Sequence, residues 1–167
     1  MAKRHEGQSS SPVADRVSAD YQQRLQALVP MLAPHFRRVF ADMPPRLRSA
    51  FESNGLGNRH GAVLAAVLVT EPLGVGELAR HLGIGLTNAS QLAGDLDRAG
   101  WLIRRRAPDN QRRTLLSLPD ERRSDVAEFV ARRSAPLLRA TAQLTPDQRS
   151  GFLAGLQAWA NEVAKRD

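Results

Sequence analysis

The 167-residue chain carries 24 basic against 17 acidic side chains, a net charge of +7 and an isoelectric point near 11.2, which suits a polyanionic partner without specifying a fold. With 42% hydrophobic residues it can bury a core, and the absence of cysteine excludes a disulfide framework, a thiolate metal site and thiol redox chemistry. No apolar run approaches the roughly 18–20 residues of a membrane span. MAKRHEGQSSSPVAD also lacks the hydrophobic segment of a signal peptide, so a soluble, cytoplasmic protein with no membrane partner is expected.

Residues 1–13 are polar and Ser-rich, and are expected to be a disordered tail. Over residues 14–53, Leu25, Leu28, Val29, Leu32, Phe36, Val39 and Phe40 recur at helical spacing, with Pro30 and Pro34 forcing a kink or split. MPPRLRSAFESNG (43–55) predicts a short helix with proline at its start and Gly55 past its end. RHGAVLAAVLVTEP (59–72) is an apolar helix stopped by Pro72. In GVGELARHLG (74–83), Gly74 caps a helix with Glu77 at its third position, and Gly83 ends it. LTNASQLAGDLDRAG (86–100) then buries Ala89, Leu92, Ala93 and Leu96 and closes at Gly100. Only GIGL separates these two helices, which is helix-turn-helix spacing. WLIRRRAPDNQRRTLLSL (101–118) predicts a two-stranded hairpin about a Pro-Asp-Asn turn.

The remainder, 119–167, is helical again. Residues 120–142 carry an apolar stripe with a kink expected at Pro136. The last helix opens on Thr145, Pro146 and Gln148, a capping-box pattern, and shows Phe152, Leu153, Leu156, Trp159 and Val163 on one face. The fold class is thus mostly α with a small β-wing. A winged helix-turn-helix over 54–118 is flanked by N-terminal (14–53) and C-terminal (119–167) helices. The wide apolar faces of the flanking helices suit dimerisation, and the symmetric dimer is the commonest closed assembly. A helical monomer is the alternative.

The second helix of the pair can enter a DNA major groove by its N-terminal half. Its outward positions are Thr87, Asn88, Ser90, Gln91 and Asp95. The first four carry hydroxyls and amides suited to base edges, with Asn and Gln able to pair bidentately with adenine; for Thr87, a helix cap is an equal reading. Arg104, Arg105 and Arg106 lead into the hairpin turn and Arg112 and Arg113 lead out, with only Asp109 between them. Like charges across a ribbon weaken it, unless phosphates neutralise them or a narrow minor groove receives one. A merely solvated edge strand favours lysine and mixed charge, so the arginines point to DNA.

LGIGLTNASQLAGDLDRAGWLIRRRAPDNQRRTLLSLPDE aligns without gaps to the recognition helix and wing of the MarR family of bacterial winged-helix regulators, and HGAVLAAVLVTEPLGVGELARHLG resembles its two preceding helices. The Gly-Trp-Leu step, Pro108, Arg112 and the Leu-Ser-Leu exit carry the resemblance most specifically. It implies a homodimeric transcriptional regulator, a repressor by family habit, on a pseudo-palindromic operator in double-stranded DNA. Terminal helices would form the dimer interface. Thr87, Asn88, Ser90 and Gln91 would read bases, while Arg104, Arg106, Arg112 and Arg113 would contact DNA from the wing, with Arg112 at its tip. The family's effectors, often small aromatic molecules, bind between dimer helices and winged domain. This chain departs from the family at Asn110, where an acidic residue usually braces the turn, at Gln111, at Gln91 and Asp95 in place of basic residues, and at Gly94, mid-helix.

GLGNRHG (55–61) follows a helix rather than a strand, so it reads as a loop and helix start rather than a nucleotide loop. His5, His35, His60 and His81 lack metal spacing and no metal or other cofactor is expected. No catalytic constellation stands out, so no enzyme is expected. His35, Phe36 and Phe40 read first as dimer core and second as the lining of an effector cleft. The rival function is a winged-helix interaction module whose basic ribbon grips an acidic protein partner instead of DNA.

Overall fold

The computed structural model describes residues 18–164, so the N-terminal tail lies outside the described residues. Two units are distinguished, residues 18–38 and 39–164.

In the first unit the Ser18 hydroxyl accepts the Tyr21 N–H at 3.3 Å and starts helix α1, Ala19–Met31. Pro30 closes this helix within its last turn, and Pro34 takes the first turn of a five-residue helix α2, Ala33–Arg37. The stripe therefore splits, as proline's missing N–H and fixed φ require. Neither helix buries a side chain.

The second unit begins with a 3₁₀ turn, Val39–Asp42, and helix α3, Pro45–Ser53. Helix α4, Asn58–Thr70, buries Val63, Leu64 and Val67. Gly61 lies in this helix where an added Cβ would meet the Phe129 ring at 3.3 Å, so glycine permits the close approach of α4 to α7, Asp120–Ala142. Helices α5, Val75–Leu82, and α6, Leu86–Arg98, form the helix-turn-helix. Gly83 ends α5 at φ +60°, a conformation open to glycine at no steric cost.

The ribbon has a third strand that the sequence does not announce. Strands β2, Ile103–Arg106, and β3, Thr114–Ser117, pair antiparallel, and β1, Leu73–Gly74, pairs with β3 on its other side. Two residues are too few to show a period-2 pattern, and the helix-capping role of Gly74 hides its place in the sheet. Leu73 and Leu116 face one another and are both buried. They join Phe51, Leu64, Leu78, Ala93, Leu96, Trp101, Val126 and Phe129 in one core.

Helix α7 runs unbroken through Pro136, so proline leaves one backbone position without its bond but does not end the helix. Its start is tied to the wing exit by Glu71, which follows α4. The Glu71 carboxylate accepts the Leu118 N–H at 2.9 Å and pairs with Arg123. Burial pushes this carboxyl up, but hydrogen bonds from Arg123 and the Leu118 N–H, with the arginine charge, leave it below its ordinary value. Helix α8, Pro146–Ala164, begins with the expected reciprocal cap: the Thr145 N–H donates to Gln148 Oε1 at 2.9 Å and the Gln148 N–H to Thr145 Oγ1 at 3.3 Å. Every described side chain of α8 is exposed. Among the described residues no helix is long and apolar enough to cross a membrane.

Candidate nucleic-acid interface

Helix α5 supports the site from beneath. Its cap is Gly74, whose N–H donates to Glu77 Oε2 at 2.8 Å, and Leu78 and Ala79 pin it to the core. After Gly83 the chain turns into α6, whose N-cap is Gly85, without a side-chain cap. Thr87 is therefore not the cap but lies inside the first turn, exposed with Asn88 and, one turn on, Gln91. Ala89, Ala93 and Leu96 hold the opposite face in the core.

Two departures from the family pattern acquire physical reasons. Gly94 is buried, and a Cβ there would stand 3.2 Å from Arg104 Nη1 and 3.5 Å from Arg98 Nη1. The mid-helix glycine, about 1 kcal/mol poorer than alanine in helix propensity, opens a slot through which Arg104 crosses the helix. Asp95 points no free charge at a partner: its carboxylate pairs with Arg98 and lies 3.3 Å from His60 Nε2. His60 Nδ1 accepts the Gly57 N–H at 2.9 Å, so the ring's proton sits on Nε2 and donates to Asp95. This histidine bridges the start of α4 to α6.

The wing places its arginines apart. Arg104, Arg105 and Arg106 stand opposite Leu116, Leu115 and Thr114, so no arginine faces another across the ladder. Arg104 reaches back to Ser90 Oγ at 3.5 Å, and Arg106 to Thr114 Oγ1 at 3.4 Å. At the tip, the Ala107 N–H donates to the Arg113 carbonyl and the Arg113 N–H to the Asn110 carbonyl, each at 2.9 Å. Asn110 Oδ1 accepts the Arg112 N–H at 2.9 Å. An amide thus supplies the bracing acceptor where the family usually has an acid. Arg113 is drawn to Asp109 at 3.8 Å, whereas the Arg112 guanidinium has no acidic partner among the described residues.

A cleft of about 590 Å³ lies between α5, α6 and the wing, lined by Arg80, Leu86, Ser90, Arg112 and Arg113 among others. Arg80 and Leu86 are additions to the residues picked from sequence. Arg80 is visible there only as one more charge, and Leu86 only as an apolar residue at the head of the buried stripe. Chemically, the surface offers hydroxyls, amides and guanidiniums from helix α6 and the wing. The aromatic residues considered for an effector divide otherwise. His35 meets Phe36 edge-on at 5.6 Å in the first unit, and Phe40 packs edge-on against Phe51 at 6.1 Å in the second.

Residues 54–113 match a family model described as the MarR family. Over that stretch, about a third of the chain, the winged helix is similar to the MarR family. Solved structures resemble the chain well beyond the matched segment. Sco3205 from Streptomyces coelicolor, a MarR family transcriptional regulator in complex with DNA, is similar with a TM-score of 0.62 at 18% identity, over 88% of this chain and 93% of that one. A MarR protein from Peptoclostridium difficile gives a TM-score of 0.59 at 10% identity, over 99% and 97%. The PcaV transcriptional regulator from Streptomyces coelicolor, in complex with its natural ligand, gives 0.52 at 18% identity, over 92% and 97%. At these identities the likeness is one of fold. Comparison with curated proteins found no match. Helix α6 and the wing as far as Arg113 lie within the matched stretch.

Proposed function

We propose that the protein is a DNA-binding transcriptional regulator acting as a homodimer on a pseudo-palindromic operator. The carrying observation is the exposed N-terminal half of α6, bearing Thr87, Asn88 and Gln91, beside a wing whose tip arginine, Arg112, has no acidic partner. The major groove takes such a helix end, and an adjacent minor groove takes such an arginine. The DNA complex of Sco3205 supports this reading through the shared fold. Repression by occupancy of the operator follows family habit, and the PcaV complex with its natural ligand supports release by a small molecule. The activity is binding, not catalysis. The interaction-module reading gains nothing from the acidic Asp95 on α6, because its carboxylate is engaged by His60 and Arg98.

The test is selection of duplexes from a random double-stranded DNA pool by the full chain, followed by gel shift of the winner at fixed salt. Arg112→Ala should weaken binding about tenfold or more, as for loss of a charge-assisted contact worth 1.5–3 kcal/mol, and flatten the salt dependence. Arg104→Ala should act less through phosphate attraction, because Arg104 is held at Ser90. Unchanged binding by the Arg112 variant sinks the wing assignment.

A further inference from the structure

The DNA-facing surface contains one side chain of the wrong polarity. Leu86 is 62% exposed, yet it sits among Ser90, Arg80, Arg112 and Arg113 on the cleft between recognition helix and wing. It is the first residue of α6 and stands one turn before Ala89 on the face that also carries Ala93 and Leu96, but it overhangs the core at the helix end and stays largely exposed while those three are buried. Because Cα–Cβ bonds tilt toward a helix N-terminus, its branched side chain projects past the helix end that would enter the groove.

We infer that Leu86 determines sequence preference by packing against the 5-methyl group of a thymine. The inference rests on the regulator reading above and names a residue within that same surface. Arg80, Arg112 and Arg113 outnumber the one carboxylate on the cleft, Glu77, which is held by its own helix cap, so the surface suits a polyanion. Within a major groove the thymine methyl is the apolar feature that distinguishes one base edge from another. A leucine exposed at that place gains from such a contact by leaving water, and gains nothing from cytosine or from a methyl-free uracil. Thr87 and Asn88 beside it supply the hydrogen bonds that the adjacent base requires, so polar and apolar readout share one helical turn.

The experiment compares duplexes selected from a random pool by the wild-type chain and by Leu86→Ala at one salt concentration. The variant keeps its fold, as circular dichroism melting will show, because the side chain is exposed. The expected result is a thymine fixed at one position by the wild type and unconstrained in the variant's pool, with the rest of the consensus retained. The winning duplex remade with uracil at that position should then bind the wild type about fourfold more weakly, one methyl's burial, and Leu86→Ala no more weakly than the thymine duplex. A variant pool that keeps the thymine, or equal weakening of both proteins by uracil, overturns the inference alone. A wild-type chain that enriches no duplex overturns the regulator reading and this inference with it.

Discussion

Asn110 shows how little chemistry the wing tip needs. One amide oxygen holds the Arg112 N–H at 2.9 Å, and the backbone bonds between Ala107, Asn110 and Arg113 do the rest. A single neutral hydrogen bond contributes about 1 kcal/mol net, so Asn110→Ala should lower affinity for a selected duplex about fivefold. Asn110→Asp keeps the acceptor and should retain more of the binding, less the repulsion of its charge by phosphate. Gel shifts of both variants at fixed salt check this, and an alanine variant that binds like wild type would mean that the tip holds its shape without the amide. That arginines crowd this ribbon is plain from the sequence. Which of them are engaged is not: Arg104 at Ser90, Arg106 at Thr114 and Arg113 at Asp109 are decided by register and by the wing's curl over α6.

Among the elements, helices were most legible where they carry their own start: Gly74 with Glu77 and Thr145 with Gln148 are local signals with local partners. Strand β1 was not, since its identity lies in Leu115 and Leu116, some forty residues away. The strap from α4 to the wing exit is equally non-local. Glu71 is held below its ordinary value of about 4.5 in the folded state, burial notwithstanding, by Arg123 and the Leu118 N–H. A depressed folded value means that its contribution is fully present above the unfolded pKa and is lost as pH falls through the folded one. Thermal melts should therefore show Glu71→Gln below wild type at neutral pH, with the gap closing as pH drops beneath about 4. A gap of constant size across that range would show that the carboxylate's charge does not matter there.

For the molecule as a whole, the outstanding feature is apolar surface without cover. Along α1, Leu28 and Met31 are exposed, and along α8 so are Leu153, Leu156, Trp159 and Val163. Solvating faces of this size is unfavourable, at roughly 25 cal/mol for each Å² that a partner could bury, and the homodimer proposed above would cover them with one interface type. Sedimentation should give about twice the 18.3 kDa of one chain. Leu156→Glu combined with Trp159→Glu should move it to the monomer while far-UV dichroism keeps its helical signal, because α8 buries no described side chain in its own fold. A double variant that still sediments as a dimer would remove α8 from the interface.

What the sequence determined by itself was everything with a short physical range: helix ends set by capping residues and glycines, the helix-turn-helix spacing, the buried stripe of α6 and the charge of the wing. These follow from chemistry within a few residues, so one chain suffices to read them. Only the tertiary structure decided the third strand, the slot at Gly94 for Arg104, the inward turn of Asp95 to His60 and the outward one of Leu86. Each depends on two segments far apart in the chain arriving at one place, and the residue types at either end do not state where the other will be.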